Sequence, residues 1–114
     1  MNNIRQQLAH CQAQVAADAN NATAWFNLGW WSNRAGLFAQ AVQAYEESIA
    51  CGISDPEEAM SNLASVYSER LANTSMAAQW LDRALEIRPD YYQAVFNRAH
   101  IAEQTGDRDL ACQL

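Results

Sequence analysis

Two histidines, three cysteines and three evenly spaced asparagines are the side chains of this chain that invite a chemical reading. His100 and Glu103 stand three residues apart, so on a helix they share one face. A histidine beside a carboxylate is half of an acid–base device. The other half is a nucleophile or a metal held near the imidazole, and the sequence offers neither. His10 is isolated. Cys11, Cys51 and Cys112 are odd in number and share no metal-type spacing. They read as reduced thiols in a cytoplasm, with Cys112 a packing residue near a chain end. No cofactor, no metal and no catalysis are expected: the chain reads as a non-enzyme.

The asparagines lead further. Asn27, Asn62 and Asn97 lie 35 residues apart, and their neighbours recur with them. Trp25-Phe26-Asn27-Leu28-Gly29 is echoed by Met60-Ser61-Asn62-Leu63-Ala64 and again by Val95-Phe96-Asn97-Arg98-Ala99. Self-similarity at this period marks an array of helical repeats. Such arrays present extended binding surfaces rather than reaction centres. An asparagine offers a donor and an acceptor to a peptide backbone; the same groups can equally bond within the array. Trp30, of a type enriched at binding hot spots, either faces solvent or packs on the first helix, whereas its neighbour Trp31 is assigned to packing.

The elements that hold these residues are helices. Of 114 residues, 22 are alanine, the strongest helix former and small enough to let helices approach closely. Two prolines and four glycines punctuate the chain. Helices are expected over about 3–17, 22–34, 38–51, 56–71, 75–87 and 91–104, with a further start at 108–114. Ala35-Gly36 and Gly52 are C-terminal stops. Ser54-Asp55-Pro56-Glu57-Glu58 combines a capping side chain, a first-turn proline and acids at the positive end of the dipole. Asn73 or Thr74 can cap the next helix. No connection exceeds about six residues, as expected between antiparallel neighbours.

The charge is −6, and all seven basic residues are arginines. An acidic surface disfavours nucleic acid, which needs a basic stripe, and disfavours an anionic membrane. A basic or neutral polypeptide is the easier partner, and the favoured reading of the charge itself is that it keeps the protein soluble. Met1 to Ala17 lacks the apolar core of a signal peptide, and no stretch approaches a membrane span.

The recurring residues resemble the tetratricopeptide-repeat family, whose pattern runs Trp-x-x-Leu-Gly-x-x-Tyr, then Ala-x-x-x-Phe, then Pro. Trp25, Leu28, Gly29, Ala41 and Tyr45 fit it. So do Met60, Leu63, Ala64, Tyr67, Ala77, Leu81, Ala84 and Pro89. Val95, Ala99, Ala102 and Ala111 fit a third copy. The resemblance implies an all-α fold, a right-handed superhelix of antiparallel helical hairpins. The units are an N-terminal helix over 1–20, a first repeat over 21–54, a second over 55–89 and a partial third over 90–114. The pattern departs at Ser32, in the tyrosine slot, and at Arg98, in a leucine slot. The loop at 51–56 and the turn at 70–74 each run one residue long. The third repeat lacks most of its second helix, so a fragment of a longer protein is expected.

The resemblance further implies that the first helix of each hairpin lines a concave groove. That assigns partner contacts to Phe26, Asn27, Trp30, Asn33, Arg34, Asn62, Ser65, Glu69, Phe96, Asn97 and His100, with Ser61 beside them. The expected function is a protein–protein interaction module binding a peptide or partner domain. The lysine clamp of chaperone-binding members is absent, since Phe26 and Trp30 hold its places. A rival reading is the non-catalytic N-terminal region of a larger bacterial enzyme, because the second hairpin resembles repeats that precede sulfotransferase domains. A weak homodimer through the C-terminal end, carried by Val95, Ala99, Ala102, Leu110 and Leu114, is also expected.

Overall fold

The computed structural model describes residues 3–104. Six α-helices follow one another: α1 (Asn3–Ala17), α2 (Ala22–Arg34), α3 (Phe38–Ala50), α4 (Pro56–Ser65), α5 (Thr74–Ile87) and α6 (Tyr92–Gln104). A π-helical segment, Val66–Arg70, continues α4. Turns of three to five residues join the helices, and each helix packs on the next. The described residues contain no strand. The result is an elongated all-α repeat solenoid, 53 Å along its longest axis.

Local sequence explains where the helices begin and end. Asn21 caps α2, its side-chain oxygen accepting from the Ala24 N–H at 3.0 Å; Asn73 caps α5 the same way, accepting from Met76 at 3.1 Å. Gly36 and Gly52 carry φ of 83° and 84° beyond α2 and α3. The Leu37 and Ile53 N–H groups then reach back to the Ser32 and Ser48 carbonyls. Asp55 precedes α4 without making a side-chain cap, contrary to expectation; Pro56, fixed near helical φ, opens that helix instead. Glu57, in the first turn, is buried and faces Arg88 at 3.6 Å.

Burial follows the repeat. Along the stack, the first apolar cluster joins Cys11, Leu28 and Ala44 across α1, α2 and α3, with Trp25 and Trp31 against it. The second gathers Ala41, Tyr45, Ala59, Leu63 and Val66. The third gathers Met60, Ala64, Ala77, Leu81, Ala84, Ala94 and Ile101. Each is shared by neighbouring hairpins, so no hairpin buries its apolar face alone. The small residues set the spacing: a Cβ built on Gly29 would lie 2.9–3.0 Å from three Tyr45 ring atoms. Ser32, in the tyrosine slot, is fully buried and accepts from Gln40 Nε2 at 2.8 Å. Arg98, in the leucine slot, reaches outward to Asp82 at 2.9 Å.

The extra residue of the second hairpin does not lengthen the turn, as the sequence suggested. It is absorbed inside the helix. The Leu71 N–H bonds the Val66 carbonyl five residues back, at 3.1 Å, and the Asn73 N–H bonds Tyr67 at 2.8 Å. The wider coil ends at Ala72, whose φ of 53° is the left-handed conformation that Gly36 supplies in the first hairpin. The helix expected over 56–71 is therefore an α-helix of ten residues followed by a π-helical turn.

Candidate interaction groove

The first helices of the two described hairpins are α2 and α4 with its π-helical turn, and α6 follows them. Between the π-helical turn and α6 lies a cleft of about 310 Å³ lined by Ser65, Ser68, Glu69, Asn97, His100 and Ile101. Four of these, Ser65, Glu69, Asn97 and His100, were assigned to the groove from sequence. Ser68 and Ile101 were not. Ser68 enters because the π-helical turn rotates the residues after Ser65. Ile101 is buried and forms the apolar floor. A smaller cleft of about 230 Å³ joins His100 to Phe96, Ala99 and Glu103. The cleft chemistry is that of hydrogen bonding: two hydroxyls, an amide, an imidazole and a carboxylate over one aliphatic floor.

A second cleft, also of about 310 Å³, is lined by Ile4, Asn33, Arg34 and Arg70. It brings α1, the end of α2 and the end of the π-helical turn together. Asn33 and Arg34 were assigned from sequence; Arg70 was not. The signal for it was the 36-residue step from Ala41 to Ala77, one longer than the Asn27 to Asn62 step. Trp30 is 40% exposed, packs edge-on against Trp31 at 4.9 Å and carries the Arg34 guanidinium 4.6 Å above its ring.

The remaining assigned residues serve differing ends. Phe26 is half-buried, edge-on to Tyr45 at 5.5 Å. Asn27 is exposed. Asn62 is half-buried and hydrogen-bonded to the Tyr45 hydroxyl, an interaction within the array. Burial dominates at that hydroxyl and pushes its pKa far above the usual phenol range, with the Glu58 charge adding to the rise and the Asn62 bond opposing it. Phe96 is 59% exposed and stacks on Tyr92 at 6.2 Å. Ser61 is buried and cannot line a groove, a correction to the sequence reading. Position in the repeat placed it on the groove face, but the packing around α4 encloses it.

Among the described residues no group of three or more His, Cys, Asp or Glu side chains could hold a metal ion, and no helix is long and apolar enough to cross a membrane. Leu110, Leu114 and Cys112, and the turn and helix start expected from Thr105 onward, lie outside the described residues.

Comparison with known proteins follows the same lines. Residues 59–91 match the tetratricopeptide-repeat family model. A stretch of 81 aligned positions is 30% identical to the rat mitochondrial import receptor subunit TOM70, covering 66% of this chain and 13% of that receptor. The chain thus spans a small part of that relative's length. The crystal structure of YrrB, described as a tetratricopeptide-repeat protein with an unusual peptide-binding site, shares the fold. Its TM-score is 0.79 at 22% identity, over 96% of this chain and 56% of that one. Repeated motif, matched repeat and shared solenoid converge: residues 59–91 form a tetratricopeptide repeat, and the chain as a whole has the solenoid fold of a tetratricopeptide-repeat protein.

Proposed function

We propose that this protein-interaction module takes a peptide, or an extended segment of a partner domain, along the groove formed by α2, α4 with its π-helical turn, and α6. The observation that carries the reading is the polar cleft of Ser65, Glu69, Asn97 and His100 over Ile101. Donors and acceptors stand there in reach of a main chain, with one apolar contact beneath them. That combination suits a polypeptide, whose backbone needs both kinds of partner. The YrrB peptide site adds support by analogy of fold. A cytoplasmic setting and a purely non-catalytic role belong to the same reading.

Selection from a random peptide library, followed by NMR of the selected peptide with the chain, tests it. Amide shifts are expected to cluster at Ser65, Asn97 and His100. Asn97→Ala is expected to weaken binding about tenfold, the scale of a single hot-spot contact. Shifts confined to the outer faces of α3 and α5 would overturn the reading.

Self-association is a second element of the proposal. Val95 is 45% exposed on α6. Apolar faces of this kind find partners, and a two-fold contact between copies is the commonest arrangement.

A further inference from the structure

In this acidic chain, the cleft lined by Ile4, Asn33, Arg34 and Arg70 brings two arginines together. We infer that it is an anchoring site for acidic side chains of the bound polypeptide; the inference rests on the groove reading above and names the partner's chemistry. Neither arginine has an ion-pair partner among the described residues. Each instead lays a guanidinium face on an aromatic ring, Arg34 on Trp30 at 4.6 Å and Arg70 on Phe38 at 5.5 Å. Stacking fixes the plane of a guanidinium and leaves its N–H edge free, the edge that receives a carboxylate in the two-point geometry. Asn33 lines the same cleft, and its Oδ1 has no hydrogen-bond partner. A ligand N–H beside the carboxylate would supply one.

Helix termination does not account for the pair. Both arginines close helical segments, where cations favour the negative end of the dipole. The carbonyls at those ends, however, are already taken by backbone N–H groups. Ser32 and Asn33 accept from Leu37 and Gly36, and Val66 and Tyr67 accept from Leu71 and Asn73. Each helix end is equivalent to roughly half a negative charge, so two guanidinium groups leave about one positive charge over. The net charge of −6 does not cancel it. At physiological salt, exposed charges beyond about 8 Å are largely screened, and the cleft's own lining sets its field. Glu69, the neighbour of Arg70, points into the other cleft.

The site also differs from the lysine clamp of chaperone-binding repeats, whose places are filled here by Phe26 and Trp30. The proposed occupant is an internal acidic segment, with a chain terminus left as an outcome of the test.

Random peptides displayed with their C-termini fused to a coat protein test this, because the fusion removes any terminal carboxylate. Selection on the native chain is expected to enrich Asp and Glu. A selected peptide, synthesised with an amidated C-terminus, is expected to bind about tenfold more weakly to Arg34→Gln/Arg70→Gln, the sum of two exposed charge pairs. Arg34→Lys/Arg70→Lys is expected to retain part of the affinity, and circular dichroism of all three proteins to match. Selected peptides without acidic enrichment, or binding unchanged in the glutamine variant, would overturn the inference while leaving the groove reading standing. Binding only by peptides with a free C-terminal carboxylate would overturn it in favour of a terminus-binding site. Failure to select any peptide would overturn both.

Discussion

At the scale of single residues, the most constrained contact is Gly29 against Tyr45. Alanine at position 29 would place its Cβ 2.9–3.0 Å from the ring of a side chain that is itself 1% exposed, so the ring has nowhere to go. Gly29→Ala is expected to destabilise the fold by about 1–3 kcal/mol, the usual cost of overpacking a core, despite alanine's better helix propensity. Urea denaturation would read it as a lower midpoint with an unchanged slope. Tyr45 also governs the response to alkali. The chain has no lysine, and arginine does not titrate below about pH 12. Tyrosine and cysteine therefore dominate the alkaline limb. Burial raises the Tyr45 pKa, and raises those of Tyr67 and Tyr91 as well, with nearby glutamates adding to the rise. Raised in the folded state, these groups contribute stability that is complete below the unfolded pKa of about 10 and is lost as pH climbs toward the folded values. Cys11, buried and likewise raised, is expected to start the decline above the unfolded thiol value of about 8.5. The tyrosines steepen it above about pH 10, with the buried Tyr45 contributing as much as about 1.4 kcal/mol per pH unit and the more exposed Tyr67 and Tyr91 less. Tyr45→Phe should flatten the fall, and an equally steep limb in that variant would contradict the assignment.

At the scale of elements, the π-helical turn is the feature that distinguishes this solenoid from a regular one. It carries one extra residue, rotates Ser68 and Glu69 toward α6, and delivers Arg70 to the cleft beside Arg34. Its exit costs strain, because Ala72 takes φ of 53°. A left-handed conformation costs an L-residue about 1–2 kcal/mol, and glycine escapes that while losing about 0.5–1 kcal/mol to chain entropy. Ala72→Gly is therefore expected to raise stability by about 1 kcal/mol, seen as a higher denaturation midpoint. No change, or a loss, would mean that the turn is held otherwise than described. The cap of α2 gives a contrasting case. Asn21→Ala removes the bond to the Ala24 N–H and is expected to cost about 1 kcal/mol.

At the scale of the whole molecule, the exposed apolar residues of α6 bear on self-association. Val95 is exposed on α6, and Tyr92 and Phe96 stack in solvent beside it. Under the self-association proposal, sedimentation at high micromolar concentration is expected to show a dimer that Val95→Glu abolishes. A strictly monomeric chain would end that idea, and so would a dimer indifferent to the substitution.

What the sequence determined by itself was everything that depends on local repetition. The period of the asparagines, the small residues Gly29, Ala64, Ala41 and Ala77, and the stops at Gly36 and Gly52 fixed six helices and their pairing. Each of these is a statement about neighbours within one turn or one hairpin, and propensity and sterics act at that range. The tertiary structure decided how the extra residue of the second hairpin was accommodated. A turn and a π-helical coil absorb one residue equally well in sequence terms, and the packing of Val66 and Tyr67 against α3 and α5 selects the coil. It also decided which groove-side residues reach the surface. Ser61 and Ser65 stand one helical turn apart, yet the first is buried in the stack and the second lines a cleft. Their difference depends on how α4 packs among its neighbours, a relation between whole helices that no residue spacing encodes.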